Sequence, residues 1–184
     1  MQNQQPTCFK KPSFHILTSH VWDHYLEKPA LLLDQNTLHP DLKVITVLST
    51  GSGLMKSLTA LHLAESYAQQ GYKTLLMEAN VRNPVFHTLF TLEDTKGLTD
   101  HISGNPLPIT RYKPGLDLVC GGTPTLNVAT FLLSRELKQC IHALKGRYDK
   151  IIIDTPDLSD HKDALILNDY ACGSVIVHDS HDVS

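Results

Sequence analysis

Lys56 and Ser57, at the end of Ser49-Thr-Gly-Ser-Gly-Leu-Met-Lys-Ser57, are the pair through which this chain could handle phosphate. An ammonium, a hydroxyl able to ligate Mg²⁺ and backbone N–H groups at a helix start together form an anion cradle. The strict spacing of such a loop, G-x-x-x-x-G-K-[ST], is not met. With the register fixed by Lys56, Thr50 and Met55 stand in the two glycine positions. Gly51 and Gly53 remain to let the backbone turn. A side chain at Met55 can crowd the phosphates, so the loop by itself divides between a nucleotide site and a structural glycine turn.

Two further segments carry candidate chemistry. Ile151-Ile-Ile-Asp154 is an apolar run ending in a carboxylate, the form of a Walker B strand whose acid holds Mg²⁺ directly or through water; the plainer reading is an Asp capping the next loop. Leu75-Leu-Met-Glu78-Ala-Asn80-Val-Arg82 delivers a carboxylate, an amide and a guanidinium to one strand end, or is ordinary solvated turn chemistry. His178, Asp179, His181 and Asp182 have ligand types, but with no scaffold after them they read as a solvated tail.

The elements that would position these residues follow from periodicity. Lys43–Leu48 is a short β-branched run and reads as a buried parallel strand. Residues 56–70 read as a helix stopped by Gly71. Strands at 73–77, 116–119, 149–154 and 174–177 alternate with helices at 98–102, 128–145 and 163–168, and a loop spans 80–97. This predicts a P-loop NTPase-like α/β fold, mainly a parallel sheet with helices on both faces. Ser49, Glu78 and Asp154 then fall at carboxyl ends of strands, where ligands bind in such sheets. Residues 1–42, punctuated by Pro6, Pro12, Pro29 and Pro40, read as a polar N-terminal arm with a short helix around Val21–Leu26; residues 43–184 form the domain.

Bulk properties narrow the function classes. The 184 residues suit one α/β domain. A net charge of −3 gives no electrostatic case for nucleic acid or an anionic membrane surface. Cys8, Cys120, Cys140 and Cys172 are scattered, suggesting neither a disulfide framework nor a zinc site and fitting a reduced, cytoplasmic setting. The polar start is not a signal peptide, and no apolar run approaches membrane-spanning length.

Taken in order, Lys43-Val-Ile-Thr-Val-Leu-Ser-Thr50, Leu63–Leu76, Asn80-Val-Arg-Asn-Pro-Val-Phe-His87, Gly97–Gly104 and Tyr148-Asp-Lys-Ile-Ile-Ile-Asp-Thr-Pro156 resemble the cytoplasmic kinase domain of bacterial tyrosine kinases. These belong to capsule and exopolysaccharide systems, of the CpsD/CapB and Wzc type, and are related to MinD and ParA ATPases. The resemblance runs over roughly residues 43 to 178. It implies ATP or ADP with Mg²⁺ as cofactors, Lys56 and Ser57 on the phosphates and Mg²⁺ beside Gly51 and Gly53, and Asp154 as the Walker B acid. It also implies that Glu78, Asn80 and Arg82 fill an Asp-x-Asp-x-Arg segment, with Glu78 joining Ser57 and Asp154 as metal ligands.

The departures all fall on that site. Met55 replaces a glycine, Leu58 a threonine, Glu78 is longer than Asp and Asn80 is uncharged. The family's terminal tyrosine cluster and its Glu-x-x-Arg-x-x-Arg arm do not occur in these residues, which counts against an autophosphorylating ring. The expectation is a divergent, catalytically impaired kinase homologue with weak or vestigial nucleotide binding. It would act in polysaccharide synthesis or export through a membrane co-polymerase partner that recruits it to the inner face of the membrane, with homo-oligomers admitted. The alternatives are an active ATP-dependent tyrosine kinase, or a MinD/ParA-like ATPase, whose early signature lysine is replaced here by Gly51.

Overall fold

The computed structural model describes residues 13–18, 42–50, 54–92, 96–158 and 162–178. Seven strands form one sheet: β1 (Ser13–Thr18), β2 (Val44–Ser49), β3 (Thr74–Glu78), β4 (Thr110–Lys113), β5 (Leu116–Val119), β6 (Lys150–Asp154) and β7 (Gly173–His178), in the order β1-β7-β2-β6-β3-β5-β4. All pairings are parallel except β4 with β5. Every residue of β2, β3, β5 and β6 is buried. This is why β2, β3 and β6 read as near-continuous apolar runs rather than alternating ones: both faces are covered.

The covering helices are α1 (Met55–Gln69), α2 (Phe86–Leu89), α3 (Leu98–Ile102), α4 (Val128–Leu132) and α5 (Arg135–Lys145), with a 3₁₀ helix at Lys162–Asp169. α1 packs on β2, β3 and β6, and α5 packs on β6. The chain steps two places one way from β2 to β3 and two places back from β5 to β6. Right-handed crossovers therefore put α1 and α5 on opposite faces. Gly71 stops α1 at φ +91°, where Tyr72 N–H closes back on the Tyr67 carbonyl at 3.1 Å.

The strands and helices expected from periodicity are present, the one at 163–168 as a 3₁₀ helix, with further differences. The stretch read as one helix over 128–145 is two, because Ser134 takes an extended conformation (φ −63°, ψ 145°) and caps α5 by accepting the Leu137 N–H at 3.2 Å. β1 lies inside the stretch read as an arm and pairs with β7 at one sheet edge. α2 falls within the loop expected over 80–97, and β4 lies in 103–115, a stretch to which the sequence assigns no element. Cys172 is disulfide-bonded, whereas the scattered cysteines point to reduced thiols; Cys120 and Cys140 are buried and are not in disulfides. Gly51, Gly53, the proposed helix at 21–26 and the tail at 179–184 lie outside the described residues, as does the side chain of His178.

Candidate functional site

Strand register builds the site. Asp154, the last residue of β6, pairs with Glu78 of β3 on one side and with Val47 of β2 on the other. The ends of β2, β3 and β6 thus converge on one rim, with α1 starting directly above them. α1 has no side-chain cap at Leu54 and no acidic residue in its first turn. A helix start of this kind can receive an anion.

Three predicted residues meet there. Lys56 Nζ donates to Asp154 Oδ1 at 2.5 Å, and Ser57 Oγ–H donates to Asp154 Oδ2 at 2.6 Å. All three are buried, Asp154 completely. Their placement needs only the first turn of α1 over the end of β6, so consecutive residues reach both carboxylate oxygens. The neighbouring 3.9 Å ion pair from Lys56 Nζ to Asp157 Oδ1 was not anticipated. The only sequence signal for it was an acid three positions after Asp154, indistinguishable there from turn composition. Met55 opens α1 and is 38% exposed.

Glu78 is fully buried and engaged elsewhere. Its Oε1 accepts the N–H groups of Val85 and Phe86, and its Oε2 accepts the Gly121 N–H at 2.8 Å. A Cβ at position 121 would stand 2.9 Å from the Pro84 Cβ, so glycine permits this close approach. Burial pushes the Glu78 carboxyl up to about 7, and the nearby Asp154 charge adds to that, against the opposing pull of the three N–H donors. Asn80 and Arg82 follow on the same rim, both half-buried.

The donor set fits a nucleotide with Mg²⁺. Ser57 and Asp154 supply a hydroxyl and a carboxylate, hard oxygens of the kind Mg²⁺ takes, and Lys56 supplies the phosphate-binding ammonium. Among the described residues no group of three or more His, Cys, Asp or Glu is arranged to hold a metal alone. A divalent cation would therefore depend on phosphate oxygens for much of its coordination.

No protein-family model matches the sequence. Tyrosine-protein kinase YwqD of Bacillus subtilis (strain 168) is 37% identical over 140 residues, covering 74% of this chain and 59% of that protein. Tyrosine-protein kinase CpsD of Streptococcus agalactiae is 36% identical over 140 residues, covering 73% and 61%. The chain thus spans about 60% of the length of these curated relatives. Among solved structures, the VpsO kinase domain superposes with a TM-score of 0.76 at 28% identity, covering 84% of this chain and 77% of that one. The septum site-determining protein MinD of Pyrococcus horikoshii, complexed with Mg-ADP, matches with a TM-score of 0.60 at 19% identity, covering 73% and 58%. That last likeness bears on the fold alone.

Proposed function

The chain is a homologue of the bacterial tyrosine kinases of the CpsD and YwqD type, and on that footing we propose that it is a kinase-derived, nucleotide-binding component of capsule or exopolysaccharide assembly. In this reading it binds Mg²⁺-ATP or Mg²⁺-ADP, transfers phosphate poorly and works by engaging a polysaccharide co-polymerase at the cytoplasmic face of the membrane. The observation that carries it is a contrast within one rim. Lys56, Ser57 and Asp154 form a closed hydrogen-bonded set of the groups a phosphate and a cation require, while Glu78 gives both carboxylate oxygens to backbone amides and Asn80 brings no charge.

The split between binding and chemistry follows from what each requires. Binding needs the cradle, the ammonium and two oxygen donors. Phosphoryl transfer further needs positioned charge around the transferred group, because catalysis there is almost entirely positioning and electrostatics. Loss of one preorganised electrostatic group commonly costs about 10²–10³ in rate. Bound Mg²⁺ would neutralise charge on the phosphates, with Ser57 and Asp154 holding it and Lys56 leaving Asp154 to meet the phosphate. Support for the pathway comes from the kinship. No helix among the described residues is long and apolar enough to cross a membrane, so membrane recruitment in this reading is assigned to the partner.

The test is a thermal-shift titration with Mg²⁺-ATP and Mg²⁺-ADP, wild type against Lys56→Ala, alongside a tyrosine-phosphorylation assay. Nucleotide at about 100 times its Kd adds roughly 2.7 kcal/mol, or several degrees in a domain of this size. The expected result is a Lys56-dependent shift with negligible phosphotransfer. Absence of any shift at millimolar nucleotide would overturn the binding half. Rapid Lys56-dependent tyrosine phosphorylation would overturn the impairment.

A further inference from the structure

Neither Glu78 nor Asn80 adds a free negative charge beside Asp154. Asn80 is neutral, and Glu78 spends Oε1 on the Val85 and Phe86 N–H groups and Oε2 on the Gly121 N–H. Among the described residues Asp154 is then the only acid of the predicted set hydrogen-bonded to Lys56 or Ser57. Mg²⁺ in nucleotide sites is commonly held through one or two carboxylates together with substrate phosphates. A site with its helix dipole, ammonium and phosphates in place gains from a second acid close to the first.

Asp157 is so placed. Its Oδ1 lies 3.9 Å from Lys56 Nζ, the same ammonium that Asp154 contacts, and its side chain is 20% exposed, in contrast to the sealed Asp154. The backbone on either side of it is pinned to the strand that feeds the phosphate loop. Thr155 Oγ1–H donates to the Val47 carbonyl at 2.8 Å, and Leu158 N–H donates to the Ser49 carbonyl at 3.0 Å. Pro156, between them, fixes its own φ. Asp157 is therefore held against the end of β2 at the level of the cradle, with a solvent-facing side.

We infer that Asp157 is the second carboxylate of the phosphate-and-cation site, standing in for the charge that Asn80 lacks. When Lys56 leaves Asp154 for a phosphate, Asp154 and Asp157 together face the space it vacates. Asp157 then acts on a divalent cation directly or through a bound water. The inference rests on the nucleotide reading above and names a residue which that reading does not contain.

The experiment measures ATP affinity of the full chain by calorimetry, once with Mg²⁺ and once in EDTA, for wild type, Asp157→Asn and Asp157→Glu. Mn²⁺ replaces Mg²⁺ in a parallel series read by the electron-spin resonance of the free ion. Removal of groups that support a metal site typically lowers metal affinity 10- to 100-fold. Asp157→Asn is accordingly expected to lose about 10- to 100-fold of the Mg²⁺-ATP affinity, with ATP binding in EDTA unchanged or tighter and Mn²⁺ less immobilised. Asp157→Glu is expected to recover part of the loss. Equal Mg²⁺ enhancement in wild type and Asp157→Asn would overturn the inference and leave Asp157 as a counter-ion to Lys56. Failure of wild type to bind ATP under either condition would instead sink the nucleotide reading, and this inference with it. The unliganded melting temperature of each variant separates these outcomes from loss of fold.

Discussion

Glu78 shows how one side chain can leave chemistry for architecture. Its carboxylate ties the end of β3 to the start of α2 and to the turn after β5 through three backbone N–H donors. Burial nevertheless dominates its protonation and raises it from 4.5 to about 7. The sign of the consequence is fixed. Between those two values the folded chain holds more protons than the unfolded one, so stability from this group is greatest at the acid end and is lost as pH rises toward 7. At about 1.36 kcal/mol per pK unit the whole window amounts to roughly 3 kcal/mol. Glu78→Gln removes the proton linkage and places an amide NH₂ group against one N–H donor, so it starts less stable in acid. Urea unfolding at pH 5 and pH 8 should show the gap between wild type and variant narrowing by about 2–3 kcal/mol as pH rises. A constant gap would mean that the three N–H donors, not burial, set the protonation of Glu78.

Secondary-structure elements were legible where a local pattern suffices and opaque where a partner decides. The break between α4 and α5 is local chemistry overlooked in favour of periodicity: Ser134 is a favoured N-cap, and it caps Leu137. Ser134→Ala should therefore cost about 1 kcal/mol in denaturant unfolding, and Ser134→Gly only a few tenths. Equal losses for both would show that packing of Phe131 and Leu132, rather than the cap, sets the break. β4 was hidden differently. Its four residues, Thr-Arg-Tyr-Lys, are mostly exposed and become a strand only because β5 offers an antiparallel edge. The site divides along the same line. Lys56, Ser57 and Asp154 were readable because a strand end and a helix start fix them within a few residues of recognisable runs. The partner of Glu78 at Gly121 lies 43 positions away, and no spacing rule reaches it.

At the scale of the whole molecule the sheet has two poles with different work. The carboxyl ends of β2, β3 and β6 carry the Lys56, Ser57 and Asp154 set proposed to bind phosphate. The amino ends carry a dense structural knot. There Lys150, 2% exposed, donates to the Leu42 carbonyl at 2.8 Å and lies 4.8 Å and 5.0 Å from the ring centres of Tyr67 and Tyr72. A desolvated ammonium over two rings, with a carbonyl acceptor, joins the entry to β2, the end of α1 and the start of β3. The strands and α1 both span the distance between the poles, so a change at one can reach the other only through the sheet or along α1. Lys150→Met keeps most of the volume but abandons the carbonyl and the rings. It is expected to lose about 1–3 kcal/mol of unfolding free energy while leaving the Mg²⁺-ATP Kd within about twofold. Ser57→Ala, at the opposite pole, should weaken Mg²⁺-ATP binding, and the unfolding losses of the double variant should add to within about 0.5 kcal/mol. Non-additive losses, or a Kd displaced tenfold by Lys150→Met alone, would mean that α1, the element touching both poles, shifts as a rigid body and carries strain from the knot into the cradle.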